Sequence, residues 1–358
     1  MPSLKEIKGR INSISSTLAI TSAMKMVAAA KLQKAQMAIQ NMLPYERRLH
    51  SMLIDLMGAM NISAAASEDG SVRGSGSAER GFDQSGDRLS LSNRHDLAGM
   101  DGAYSLMAQR EVRKVAIVAF ASNSSLCGAF NSNVIREATA VINEYRALGL
   151  GDADITVYSV GRKMAETMKK LGFPSPADFT KMSDSPSYEA ASALAQELLD
   201  GFVSGRFDKV ELVYNHYKST SSQPTIRQTY LPLSLADATA DIQVGKITDS
   251  ASESDTNRGA EPVGAPMVRQ GSPTTEDLIV EPSKEALIAT LLPKVIRLRI
   301  FTTLLDSAAA EHAARTVAMQ LATDNGNDLL QELTLEYNKG RQQKITSEIL
   351  DLVGGSMQ

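Results

Sequence analysis

The sequence predicts an α/β fold with long terminal helices: an antiparallel two-helix coiled coil formed by the two ends of the chain, with a small α/β domain between them. Three observations carry this reading. A heptad seam runs through residues 1–60, strand-like and helix-like segments alternate over 111–235, and a second long helical pattern fills 281–358. The intervening stretches, 61–110 and 236–280, are polar and read as an insertion and a linker.

The first helix follows from spacing. Alternate steps of three and four from Leu4 reach Ile7, Ile11, Ile14, Leu18, Thr21, Lys25, Ala28, Leu32, Ala35, Ile39 and Met42, and the seam resumes at Leu49, Leu53, Leu56 and Met60. A seam sustained this long belongs to a coiled coil rather than to the surface helix of a globule. Within it, "AITSAMKMVAAAKLQKAQ" at 19–36 has no Pro, Gly or aromatic residue. Ala28 and Ala35 let a partner helix come close, and Thr21 and Lys25 interrupt the seam with polar groups. Pro44 is expected to kink the helix or break it for a turn, because proline removes a backbone donor and crowds the preceding turn. At the usual helical rise, residues 3–58 reach roughly 80 Å.

The insertion at 61–110 is rich in Gly, Ser and Asp and has no apolar period, so a loop is expected there. From 112 the pattern changes. "VRKVAIVAFA" reads as a buried strand, "SNSSLCGAFNSN" as a turn and "VIREATAVINEYRALG" as a helix. "DITVYSVG" is a strand and "RKMAETMKKLG" and "SYEAASALAQELLDGFVSG" are helices, followed by strands in "KVELVYNHYKS" and "PTIRQTYLPLS". Strands alternating with helices imply a largely parallel sheet.

The last helix carries an apolar seam at Leu291, Val295, Leu298, Leu305, Ala309, Met319, Leu330 and Leu333, continued at Ile345, Ile349 and Leu352. Pro293 falls near its start, where proline does least harm. Gly326 and Gly340 are expected to weaken it by about 1 kcal/mol each relative to Ala. Neither long helix can hide its stripe on so small a domain, so each is expected to bury its seam on the other.

Chemistry is sparse. A net charge of −4 gives no reason to expect nucleic acid, and Cys127 is alone, so no internal disulfide exists. The start of the chain lacks a secretory core, and no apolar run reaches the length that spans a bilayer. Neither the phosphate loop GxxxxGK[ST] nor GxGxxG after the first strand occurs. The turn "SLCGAFN" has a helix start that offers amides to an anion, but a turn that needs one small residue is the favoured reading. Cys127 reads as a buried structural thiol. His50, His95, His216 and His312 are scattered, and "EHAAR" at 311–315 lacks the second histidine of a zinc helix. Asp152 and Asp154 flank a strand start, the usual place for solvated acids. No cofactor, metal or catalytic residue is expected. On the last helix, Arg341, Gln342, Thr346 and Glu348 lie close together, and a solvated coiled-coil face competes there with a patch that touches another protein.

Four separated segments resemble one family. "LKEIKGRINSISSTLAITSAMKMVAAAKLQKAQ" at 4–36, "LCGAFNSN" at 126–133, "DLIVEPSKEALIATLLP" at 277–293 and the stretch from Glu311 to Gly355 are similar, in order, to the gamma subunits of F-type ATP synthases. The resemblance implies an antiparallel coiled coil on a Rossmann-like domain. It implies a non-catalytic rotor, turned by the proton-driven c-ring, that passes torque to the alpha/beta hexamer. Alpha, beta and epsilon subunits and the c-ring are the implied partners, with the membrane reached only through them. Residue by residue it assigns hexamer contacts to Met24 and Lys25, an upper-shaft contact to Arg315, and a patch that holds and releases a hexamer loop to Arg341, Gln342, Thr346 and Glu348. The expected location is the cytoplasmic side of a bacterial inner membrane.

The chain departs from the family where Lys is common but Ala19 and Ser22 stand. It departs again where Ser-Asp-Arg-Gly is common but Ser122, Asn123, Ser124 and Ser125 stand. One cysteine allows no dithiol switch of the plastid kind. Two rivals remain at this level: a non-rotary coiled-coil adaptor or tether, and a nucleotide-binding enzyme whose helices are dimerisation arms. Nucleotide binding by the isolated chain would favour the second, and assembly with a hexameric ATPase would remove both.

Overall fold

The computed structural model describes residues 3–68, 106, 110–233, 281 and 283–355. Two helices dominate it: α1, Leu4–Glu68, and α6, Lys284–Gly355. Between them the chain forms β1 (Val115–Phe120), α2 (Phe130–Ala147), β2 (Ile155–Val160), α3 (Arg162–Lys170), a short α4 (Thr180–Asp184), α5 (Tyr188–Val203), β3 (Lys209–Asn215) and β4 (Thr225–Leu231). The short α4 had no counterpart in the sequence reading, and α1 runs on to Glu68, past the expected boundary at 60.

The strands lie in the order β2-β1-β3-β4, with β1 parallel to β2 and β3, and β4 antiparallel at the edge. Because side chains alternate across a strand, β1 feeds two cores. Val115, Ile117 and Ala119 face α2 and α3, meeting Val134, Ala138, Ile142, Met164 and Met168. Ala116, Val118 and Phe120 face the other way, toward Leu194, Leu198 and Phe202 of α5. That second core also takes in Leu49, Leu53 and Leu56 of α1 and Leu292, Val295, Ile296, Leu298, Ile300 and Leu304 of α6. The domain is therefore built around the lower part of both long helices. Either face of β1 is buried, which is why its sequence is continuously apolar rather than alternating.

Above the domain the helices pack on each other, antiparallel. Every seam position of α1 from Leu4 to Met42 is buried or half-buried, while Ile20, Met26, Val27 and Met37, off the seam, are exposed. The glycines expected to weaken α6 turn out to be holes for leucines. A Cβ at Gly326 would sit 2.6 Å from Leu18 Cδ2, and one at Gly340 would sit 3.1 Å from Leu4 Cδ2. Leu4 to Leu18 and Gly326 to Gly340 span the same 14 residues, two heptads, so one register holds over this length. Thr323 Oγ1 donates to Thr21 Oγ1 at 3.3 Å in that register.

Two expectations are corrected. Pro44 does not break α1, which is helical on both sides of it. Both Pro44 and Gln40, whose carbonyl loses its helical donor, are exposed, so water can replace the missing bond. The C-terminal end of the expected seam is not buried either: Ile345, Ile349 and Leu352 are all exposed. The reason is length. Leu4, where α1 begins, already lies against Gly340, so α6 outruns its partner.

Candidate partner-contact surface of the shaft

In an open α/β sheet, ligands bind beyond the carboxyl ends of the strands where strand order reverses, here between β1 and β3. The chain's own polar groups bond to one another at that edge. Asn215, at the end of β3, donates through Nδ2 to the Phe130 carbonyl at 3.0 Å, and Thr225 Oγ1 donates to Asn215 Oδ1 at 2.6 Å. Behind β1, the Ser122 amide donates to Asn131 Oδ1 at 3.0 Å, and Asn131 Nδ2 donates to Cys127 Sγ at 3.1 Å. Gly128 adopts a left-handed φ of +58°, and a Cβ there would lie 3.8 Å from Ala318 of α6. Cys127 and Phe130 pack on Ala310 and Ala314. The turn singled out as an anion candidate thus docks the domain on the shaft, and the Cys127 thiol is buried inside that joint.

A second joint was invisible in the sequence. The hairpin leaving β3 presents His216 and Tyr217 to α6. Asp306 accepts from the Tyr217 amide at 2.9 Å and pairs with His216 Nδ1 at 2.6 Å, and Gln36 of α1 donates to the Tyr217 hydroxyl at 2.6 Å. The hydrogen bond to Asp306 raises the imidazole above its ordinary value, although burial opposes it. These partners lie 89 to 181 residues apart in the chain, which no local pattern reports.

Structure places the expected contact residues at three levels. Met24 and Lys25 are half-buried, Lys25 on the seam itself. Arg315 sits low, where α6 leaves the domain, and its guanidinium lies 2.9 Å from Glu311 in a largely enclosed ion pair. Burial pushes the Glu311 carboxyl up, with Arg315 opposing. It pushes His312 down to about 4, helped by Lys31 and Arg315. Arg315 therefore lies where the shaft leaves the domain, with its guanidinium turned to Glu311 of the same helix. Arg341, Gln342, Thr346 and Glu348 come together on two successive turns and are all exposed. There Thr346 Oγ1 donates to the Gln342 carbonyl at 2.9 Å, and Lys344 lies 3.8 Å from Glu348. By helical rise, this patch is about 40 Å from Arg315, so the expected residues do not form one site.

Alongside the patch run Ile345, Ile349, Leu350, Leu352 and Val353, all exposed, with Leu352 reaching 74%. Among the described residues there is no cluster of three His, Cys, Asp or Glu side chains able to hold a metal ion. No described helix is long and apolar enough to cross a membrane.

A pair of long antiparallel helices rooted in a small α/β domain defines a class of stalk-like proteins. The relatives agree on which one. Residues 3–357 match the family described as ATP synthase. An ATP synthase gamma chain of Phocaeicola vulgatus is 47% identical over 357 residues, and that of Bacteroides thetaiotaomicron 45% over 358, each covering the whole of both chains. The fold matches a chain of the Euglena gracilis mitochondrial ATP synthase OSCP/F1/c-ring structure with a TM-score of 0.52 at 18% identity, covering 99% of this chain and 93% of that one. This chain belongs to the ATP synthase gamma chain family.

Proposed function

We infer that this chain is the central rotor shaft of an F-type ATP synthase. Torque passes along it between a proton-driven c-ring and an alpha/beta hexamer, which couples proton translocation to ATP synthesis or hydrolysis. Family membership names the machine, and one structural observation carries the role. The helix pair leaves its domain as a lone shaft whose outer face is studded with exposed Ile20, Met26, Val27, Leu321, Leu335 and Leu352. Single exposed apolar residues are common on any surface, but a row of them along a shaft suits a bearing enclosed by other subunits.

The root of the shaft is fused into the domain core, so turning the domain turns the helices. At the tip, Arg341, Gln342, Thr346 and Glu348 supply polar contacts to the hexamer. Each such hydrogen bond is worth about 1 kcal/mol net, enough to favour certain angles without locking rotation. Met24 and Lys25 make a lower contact with a beta subunit, and Arg315 stiffens the shaft beneath it through Glu311. In this reading the chain performs no bond chemistry itself, in keeping with the lack of a phosphate loop in its sequence. The epsilon subunit and c-ring bind the domain end, and the complex holds the chain at the cytoplasmic face of a bacterial inner membrane.

The test is native purification through a tag on the α/β domain, with identification of the co-purifying subunits and an ATPase assay. Recovery with alpha, beta and epsilon subunits, together with loss of coupled ATP synthesis in the Arg341→Ala, Gln342→Ala double variant, supports this reading. Recovery alone or as a homodimer without ATPase activity would leave a coiled-coil adaptor.

A further inference from the structure

We propose that Tyr217, held by His216, Asp306 and Gln36, is a collar pin that ties both shaft helices to the α/β domain and sets how stiffly rotation of the domain is passed to the shaft above it. This rests on the rotor reading and adds to it the residues through which the torque leaves the domain.

Tyr217 lies where the enclosure of the long helices ends. From Leu292 to Ala313, α6 is buried or half-buried at all but one position, enclosed by the sheet, α5 and α1. Beyond Met319 that enclosure ends, and most residues of α6 face solvent. The boundary is where a torque applied to the domain must be handed to two helices that afterwards hold only each other. At this level the helices are unusually smooth: Ala308, Ala309, Ala310, Ala313 and Ala314 present methyl groups to the domain and to Leu32 of α1. Apolar contact is not directional, so a helix rotating about its axis can slide methyl past methyl with little loss. Hydrogen bonds weaken steeply once bent, and they resist such a twist.

Tyr217 is placed to supply that resistance. Its ring packs in the cluster of Leu32, Ala309 and Ala313 between the two helices, and also in the cluster of Cys127, Phe130 and Ala310 where the domain docks. Among the described residues it is the one member those two clusters share. Its hydroxyl accepts from Gln36 of α1 at 2.6 Å and its amide donates to Asp306 of α6 at 2.9 Å, so one residue grips both helices. The other carboxylate oxygen of Asp306 is taken by His216 Nδ1 at 2.6 Å. The hairpin is braced in turn: the His216 amide donates to the Pro224 carbonyl at 2.9 Å, and Thr225 holds Asn215. Charged neighbours of His216 are Asp306 on α6, which favours the imidazolium, and Lys218 on the hairpin, which disfavours it; Gln36 on α1 is neutral. The clasp is thus charge-assisted when His216 is protonated, and it loosens as pH rises through the raised imidazole value.

The experiment uses the assembled complex with its hexamer immobilised and stalled by a non-hydrolysable ATP analogue, and a probe on the α/β domain. The readout is the angular variance of that probe. Asp306→Asn should raise the variance by about two-fold or more, since a charge-assisted contact is roughly twice as strong as a neutral one. Tyr217→Phe, which keeps the ring and loses the hydroxyl's bond from Gln36 and its longer contact with Thr220 on the hairpin, should raise it less. Subunit recovery and ATPase rate should stay at the level of the unaltered complex, which a folding defect would not allow. In the unaltered complex the variance should climb as pH rises through the His216 transition, and His216→Gln should flatten that profile. Unchanged variance in both Asp306→Asn and Tyr217→Phe, or an identical pH profile in His216→Gln, overturns the collar while leaving the rotor reading intact. Failure of the unaltered chain to assemble with a hexamer overturns both.

Discussion

Residues 292–313 and 341–353 are parts of one helix, α6, yet they live in opposite worlds. The first stretch is enclosed by the sheet, α5 and α1, and even Arg299, Thr303, Ser307 and Glu311 are buried there. The second leaves Ile345, Ile349, Leu350, Leu352 and Val353 exposed. Helical continuity is all they share. The root of α6 is bound to its own chain, whereas the tip is open to other subunits. Stability should therefore reside at the root and coupling at the tip.

Truncation at the root is the most drastic way to break this contrast. Leu292 and Ile296 are fully buried, and either one changed to Ala should cost about 2–5 kcal/mol, read as a lower midpoint in urea unfolding. Ile349→Ala at the tip should stay within about 0.5 kcal/mol. Equal losses at both ends would mean that the tip is packed on something in the isolated chain.

Next comes the buried ion cluster on the far face of the domain. Glu211, 2% exposed, accepts from Tyr145 and Arg227 at 2.7 Å and lies 2.7 Å from Lys209, while Arg227 also pairs with Glu144. Burial works to raise this carboxyl, but hydrogen bonds from Arg227, Lys209 and Tyr145 outweigh it and hold it below its ordinary value. Its stabilisation is fully present above the unfolded value near 4.5 and is lost as pH falls through the lowered folded value. Glu211→Gln should cost about 3 kcal/mol, because it removes the buried counter-charge shared by the partly buried Lys209 and Arg227, and should flatten the acid limb of a stability–pH curve.

A smaller effect belongs to the middle of the shaft. Gly326→Leu drives a side chain into the space held by Leu18 and should cost about 1–3 kcal/mol. Leu18→Ala in the same chain should recover part of that loss, which a double-mutant cycle would detect. Strict additivity would place the two residues in different registers. Smallest of all is the His216–Asp306 clasp. His216 has a folded pKa raised above 6.5, so its contribution is complete below that value and is lost as pH rises through the folded one. Asp306→Asn should remove this alkaline loss from a thermal-melting profile.

Much of this arrangement is legible in the heptads and strand patterns, because they are local. The seam from Leu4 to Met42 marks the less exposed side of α1, and the strand segments fall where β1 to β4 stand. What stayed hidden depends on what lies opposite. Gly326 and Gly340 read as weaknesses until Leu18 and Leu4 are seen against them. Ile345, Ile349 and Leu352 continue the seam in sequence, but nothing in their spacing says that α1 has ended. Arg315 matched a motif of the shaft surface, whereas its ion pair with Glu311 is mostly enclosed. The collar of Gln36, His216, Tyr217 and Asp306 joins residues from three parts of the chain and has no local signature. The two polar segments lie mostly outside the described residues.

A rotor requires that the domain turn with the shaft. The direct measurement is to immobilise the assembled complex by its hexamer, fix a probe to the α/β domain and supply ATP. Sustained rotation of the probe in one direction, dependent on ATP and impaired by Arg341→Ala with Gln342→Ala, is the predicted result. ATP hydrolysis by the same complex with the probe at a fixed angle would contradict it.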